Sequence, residues 1–183
     1  AAPESRSGSK VFAKTDAGPD GIAVDALGNV YTANSRANTV TKVTASGKAS
    51  RLGPTGKTPR GIAVDSSGNV YTSNLGDNTV TKITPGGSSS VLGTTGSKPI
   101  DVAVDAAGNV YTTNYADSTV TKITPGGVSS VHAATGSRPL GITLDRQGNV
   151  YTANEGANNV TKITPGGAAS TLGKTGSWPQ AIA

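Results

Sequence analysis

The stretch GNVYTAN at residues 28–34 returns as GNVYTSN at 68–74, GNVYTTN at 108–114 and GNVYTAN at 148–154, each copy 40 residues after the last. Recurrence at such a period marks a repeat architecture, in which each unit buries its apolar faces against its neighbours. Prolines keep the same period, at Pro19, Pro59, Pro99, Pro139 and Pro179. They are followed by GIAVD (21–25), GIAVD (61–65), DVAVD (101–105), GITLD (141–145) and a final AIA at 181–183.

Within one unit the residues predict four short strands. Strand a is Gly21–Asp25, launched by a proline that can begin a strand but not sit inside one. Strand b is Asn29–Asn34, strand c Thr39–Thr44, and a short strand d lies around Ala49–Leu52. Asp25-Ala-Leu-Gly28 has the residues of a type I turn, and Thr-Pro-Gly-Gly at 84–87, 124–127 and 164–167 suits a hairpin between c and d. The first copy departs there, with Ala45-Ser-Gly47. Both faces of strands a and b are apolar or small, as in sheets covered on both sides. Four antiparallel strands per unit, two-faced and repeated about every 40 residues, describe the blade of a β-propeller. A parallel β-helix competes as a solenoid, but its coils need no pair of hairpin turns per unit.

The pattern running from the proline through GIAVD, GNVYTAN and the Val-x-Lys-Ile of strand c resembles the NHL repeat, and more particularly the streptogramin-lyase-like (virginiamycin B lyase-like) propellers. The resemblance covers residues 19–180 and implies an all-β propeller. It speaks weakly to activity, because such folds host lyases, lactonases, sensors and plain binding proteins. The reading is of four complete blades, at 21–60, 61–100, 101–140 and 141–180, with partial strands at 9–14 and 181–183. Together they form one domain over 9–183 behind a flexible segment at 1–8. The resemblance implies closure with six or seven blades. Three arrangements therefore stay open: a piece of a longer propeller, a small or imperfect ring of four, and copies pairing through open blade faces.

Composition narrows the function classes. With no cysteine, disulfides and thiolate chemistry are excluded. The net charge of +5 is spread without a basic block, and aromatic residues are only 4%, so the clustered stripe and stacking platform of a nucleic-acid binder are missing. No apolar run is long enough to span a membrane. The opening AAPES, in a chain without methionine, predicts a mature end left by signal cleavage and hence a secreted or extracytoplasmic protein.

The four copies act as their own comparison. Columns alike in all units serve what every blade needs. Asn34, Asn74, Asn114 and Asn154 are expected to organise the next turn through nearby backbone groups, and Asp25 with its copies to close the a–b turn. Lys42, Lys82, Lys122 and Lys162 are expected to snorkel or pair with an acid. His132, the only histidine, stands where the other blades have Leu52, Leu92 and Leu172, and is expected to be a half-buried replacement for leucine. Streptogramin-lyase-like enzymes use histidines and glutamates converging on one face. Only His132, Glu4 and Glu155 are present here, so that set is not filled. No metal-holding acidic cluster of the lactonase type can be assembled, and no cofactor is expected.

Variable columns are the candidates for recognition. The b–c loops read SRAN, LGDN, YADS and EGAN, and the d–a loops TGKTPR, TGSKPI, TGSRPL and TGSWPQ. On a propeller these loops share one face, which gathers Arg36, Arg60, Asp77, Asp101, Tyr115, Asp117, Arg138, Glu155 and Trp178. The expectation is a non-catalytic binding or self-assembly module, taking an unknown protein or small-molecule ligand on that face or another copy of itself. The alternatives are a lyase- or lactonase-like enzyme whose site lies in blades outside this chain, and a structural protein forming arrays through open blade ends.

Overall fold

The computed structural model describes residues 13–182, which form four antiparallel four-stranded sheets. Blade 1 is β1 (Pro19–Val24), β2 (Val30–Asn34), β3 (Thr39–Val43) and β4 (Ala49–Pro54). Blade 2 is β5 (Pro59–Val64), β6 (Val70–Asn74), β7 (Thr79–Ile83) and β8 (Ser89–Thr94). Blade 3 is β9 (Pro99–Val104), β10 (Val110–Asn114), β11 (Thr119–Ile123) and β12 (Ser129–Ala134). Blade 4 is β13 (Pro139–Leu144), β14 (Val150–Asn154), β15 (Asn159–Ile163) and β16 (Ala169–Lys174). Each sheet runs in chain order from its first strand to its fourth. The fold is an all-β propeller arrangement of four-stranded antiparallel blades. Each first strand starts at the proline itself, where the missing N–H is tolerated.

The turns form as their residues dictate. Gly28 N donates to Asp25 O at 3.0 Å with Gly28 at φ +77, a backbone that glycine adopts without strain. Asp25 Oδ1 also accepts from Leu27 N and Asn29 N, and Oδ2 from Asn29 Nδ2 and the Tyr31 hydroxyl. The side chain thus fastens the turn to the strand beyond it.

Alternation along the strands gives every blade two unlike faces. In blade 1, Ala23, Tyr31, Ala33, Val40 and Lys42 point to one side, here the Tyr face. Ile22, Val24, Val30, Thr32, Asn34, Thr41 and Val43 point to the other, the Ile face. The Tyr face of each blade packs on the Ile face of the next. Tyr31, Ala33 and Val40 meet Ile62, Val70 and Ile83. Tyr71 and Val80 meet Val102, Val110 and Ile123. Tyr111, Val120 and Ala133 meet Ile142, Val150 and Ile163. Each valine or isoleucine among them contributes roughly 1.5–3 kcal/mol by leaving water.

β1 packs on β5, β5 on β9 and β9 on β13, and no apolar cluster among the described residues joins blade 4 to blade 1. The small closed ring of four is therefore set aside: the blades form an open arc. Of the expected end strands, residues 9–12 and 183 lie outside the described residues, as does the segment 1–8. Ala13 and Lys14 are irregular, and Ala181 and Ile182 continue without strand pairing. Ile182 lines a hollow with Thr143, Leu144 and Tyr151.

Candidate functional site

The b–c and d–a loops interlock on one face. Asn38, at φ +54, accepts Thr58 N on its Oδ1 at 2.8 Å and Thr55 N on its backbone oxygen at 2.9 Å. The same d–a loop reaches the next blade. Gly56 N donates to Thr81 Oγ1 at 3.1 Å, Lys57 N to Asp77 Oδ2 at 2.5 Å, and Leu75 N to Thr58 O at 3.0 Å. Each of the three d–a loops between blades is thus clamped between the b–c loops of two blades. Among the described residues, the positive-φ residues other than glycine all fall in these loops: Asn38, Asn78, Ser118 and Asn158, with Thr58, Lys98, Arg138 and Trp178 before the prolines. Four of them hold an uncommon backbone for a pre-proline residue. Because the pattern recurs in every blade, it belongs to the scaffold.

Beneath the loops the asparagines of the β2 column are fully buried. Asn34 Nδ2 donates to Thr39 Oγ1 and Thr41 Oγ1 at 3.1 and 2.9 Å, and its Oδ1 accepts from Thr32 Oγ1 at 3.1 Å. The expected turn role through backbone groups is replaced by a side-chain network joining β2 to β3. The sequence did not reveal it because the threonines that complete it come from two different strands. The column lysines likewise find an aromatic ring: Lys42 Nζ lies 5.4 Å from the Tyr31 ring centroid, and Lys82, Lys122 and Lys162 repeat this.

The structure divides the nine expected site residues into groups. Asp77 and Asp117 are engaged in the clamp, accepting Lys57 N and Ser97 N. Arg138 lies over the Tyr115 ring, 5.9 Å from its centroid, and Glu155 N donates to Arg138 O at 2.9 Å, so these three loop residues meet at one junction. Trp178 is 69% exposed, and Arg36 is exposed on blade 1.

Arg60 and Asp101 lie elsewhere, at the axis. They line a hollow of about 180 Å³ where the first strands converge, together with Asp20, Ile100, Leu140 and Gln180. Arg60 stands within β5 rather than in the d–a loop, a correction to the expected placement, and Asp101 stands within β9, in the strand-a column, as its place in DVAVD predicts. Arg60 Nε is 3.4 Å from Asp20 Oδ2, joining blades 1 and 2. Asp101 Oδ1 accepts Val102 N at 2.9 Å and Oδ2 accepts Ile142 N at 3.1 Å, joining blades 3 and 4. Burial pushes the Asp101 carboxyl above the usual carboxylate range, against those two hydrogen bonds. Its column is otherwise Gly21, Gly61, Gly141 and Ala181, and a Cβ at Gly61 would come within 2.6 Å of Asp101 Cα. Asp20 and Gln180 were missed as site residues. The signal was available, since the column after each proline reads Asp20, Arg60, Ile100, Leu140 and Gln180.

The sequence model of the virginiamycin B lyase family matches residues 4–183. The chain belongs to that family. Among solved structures it is similar to virginiamycin B lyase from Staphylococcus aureus, at 20% identity and a TM-score of 0.74 over 86% of this chain and 56% of that one. A streptogramin B lyase structure is matched at 21% identity and a TM-score of 0.76, over 87% of this chain and 56% of that one. A chain of the nidogen/laminin complex is matched at 19% identity and a TM-score of 0.77, over 89% and 67% of the two chains. These likenesses show the fold. No curated protein sequence matches. The chain spans just over half the length of the lyases it resembles.

Within this member of the virginiamycin B lyase family, His132 lies on β12, the outermost strand of blade 3. It is half-buried and packs edge-on against Tyr111 with ring centroids 5.3 Å apart, in the place that Leu52 and Leu92 take in the first two junctions. Burial and then Lys122 hold its pKa below the usual histidine value, and Nε2 is buried without a partner among the described residues. Among the described residues no group of three or more His, Cys, Asp or Glu could hold a metal ion, and no helix is long and apolar enough to cross a membrane.

Proposed function

We propose that this chain is a non-catalytic binding module that takes its ligand on the loop face, over the axial hollow. The observation that carries this reading is the gathering at one hollow of Asp20, Arg60, Asp101 and Gln180, which differ from copy to copy of the repeat. The ion pair of Arg60 with Asp20 and the hydrogen bond that the Ile142 amide donates to Asp101 orient this polar floor. Trp178 supplies an exposed aromatic anchor on the same face, the residue type most enriched where binding energy concentrates. Quinupristin, which a catalytically inactive Staphylococcus aureus virginiamycin B lyase holds, is the first probe. Calorimetric binding by the wild type that is lost in Arg60→Ala and Trp178→Ala supports the reading. Binding that neither substitution changes removes the loop face from it.

Family membership favours a second reading, a lyase-like enzyme whose reacting groups lie in further blades, since these four span about half of a lyase. Conversion of quinupristin to a new chromatographic species by the 183-residue chain alone would sink the non-catalytic reading.

A further inference from the structure

Leucine fills one place of the repeat in the first two junctions, where Leu52 and Leu92 pack into the apolar clusters. Blade 3 has His132 there, so the one histidine of the chain stands in the junction between blades 3 and 4. The c–d turn of the next blade closes on this place each time. A Cβ at Gly87, Gly127 or Gly167 would come within 2.6 or 2.7 Å of the carbonyl oxygen of Leu52, Leu92 or His132. The imidazole is therefore confined between the Tyr111 ring, 5.3 Å away between centroids, and the Thr164–Gly167 turn of blade 4. Its Nε2 is buried without a partner among the described residues. Leucine leaves nothing unpaired at this place, and a neutral imidazole leaves only a bare lone pair on Nε2. A protonated ring must bury a charge and an N–H that finds no acceptor, the costlier state in an apolar junction.

We propose that His132 makes the junction between blades 3 and 4 a pH-sensitive device, tight while the imidazole is neutral and loosened once the ring takes up a proton. The charges around the ring set the direction. In its own blade, Lys122 of β11 holds Nζ 5.5 Å from the centroid of the same Tyr111 ring, and the Tyr111 hydroxyl donates to Asp105 at 3.2 Å. β12 carries no other charged residue. From blade 4, the Thr164–Gly167 turn is uncharged, while Asp145 and Arg146 of the a–b turn share a hollow with Asp105. Lys162 lies on the Tyr face of blade 4, turned away from this junction. Of these charges only Lys122 acts on the imidazole. Burial first, and then Lys122, press the ring below its ordinary 6.5, against a hydrogen bond with the Thr164 backbone. The unfolded chain therefore takes up the proton first, so stability is complete above the ordinary value and falls as pH drops below it. The aspartates do not imitate this response. Asp25 acts below its ordinary 3.8, and Asp101, at the axial end of the same junction, is raised by burial and gains in acid.

The proposal is independent of the loop-face reading. A single histidine gives one imidazole resonance to follow by NMR, and its midpoint is expected below that of the same chain unfolded in urea. Equal midpoints overturn the proposal. The urea concentration that half-unfolds the wild type should fall between about pH 8 and pH 5. His132→Leu, which restores the residue of the first two junctions, should stay level over that range; a fall that persists in this variant overturns the proposal. The place of the loosening is read with thiol probes, since the chain has no cysteine. Ile163 and Ile83 share a column and are fully buried, the first in the junction of blades 3 and 4 and the second in that of blades 1 and 2. Rates of dithiodipyridine labelling of Ile163→Cys and Ile83→Cys are compared at each pH. Their ratio cancels the reagent's own pH dependence and any unfolding of the whole chain. It should rise severalfold as pH falls and stay flat when His132→Leu is added. A ratio that is flat with His132 present overturns the local loosening. Lys122→Gln should raise the histidine midpoint, and an unmoved midpoint overturns the part given to Lys122. The midpoint and urea measurements need no cysteine, so they decide the matter even where a thiol variant fails to fold.

Discussion

Ile142 and Ile22 hold the same place in the repeat, yet one is 6% exposed and the other 68%. The same contrast separates Gly53, crowded by Ser89 and Gly87, from Gly173, which faces open space. The residues of the two members are alike, and so are their strands. What differs is whether another blade stands opposite. A residue's worth here is a property of the junction and not of the repeat, which the following measurements can break or sharpen.

The largest difference is expected from truncating the paired isoleucines. Ile142→Ala should cost about 2–5 kcal/mol in urea denaturation, the usual result of emptying a packed site. Ile22→Ala should stay within about 0.5 kcal/mol, as exposed substitutions do. Equal losses at the two sites would show that the faces are covered alike. Next comes the buried amide network. Asn114→Ala removes the partner of Thr112, Thr119 and Thr121 and should cost about 1–3 kcal/mol, with loss of melting temperature as the readout. The glycine pair follows: Gly53→Ala should destabilise by about 1–3 kcal/mol through overpacking, whereas Gly173→Ala should be neutral or slightly stabilising. A cost at Gly173 matching that at Gly53 would show that the two glycines are crowded alike.

The smallest effects are those of pH, and here two kinds of aspartate oppose each other. Hydrogen bonds led by that from Asn29 hold the Asp25 carboxyl down to about 2 from its ordinary 3.8. A depressed folded pKa contributes stability that is complete above the ordinary value and is lost as pH falls toward about 2. Melting temperature should therefore drop over that window, and Asp25→Asn should flatten the drop. Asp101 is raised by burial instead, so its ionised form costs stability that returns as pH falls. Asp101→Asn should be more stable than wild type at neutral pH, with the difference vanishing in acid. A parallel response in the two variants would show that burial does not govern Asp101.

The blade itself was legible from one line of residues. A period of 40, proline at each strand start, turn residues at fixed offsets and two-sided apolar strands determine four strands, their order and the unlike faces of every blade. These are local properties, written within a span that one turn can close. Much of the site was legible only as a list. Variation between copies picked out Arg60 and Trp178, but it could not separate Asp77 and Asp117, spent on clamping the neighbouring loop, from Arg60 and Asp101, which line the axis. Nor could it show that Thr32, Thr39 and Thr41 meet on Asn34, or that Lys42 turns to a tyrosine rather than an acid. Those outcomes depend on which strands and blades come face to face across many residues of intervening chain. Only the packed arc decides that, because the preference of each polar side chain is satisfied by whichever partner the tertiary structure brings within hydrogen-bonding distance.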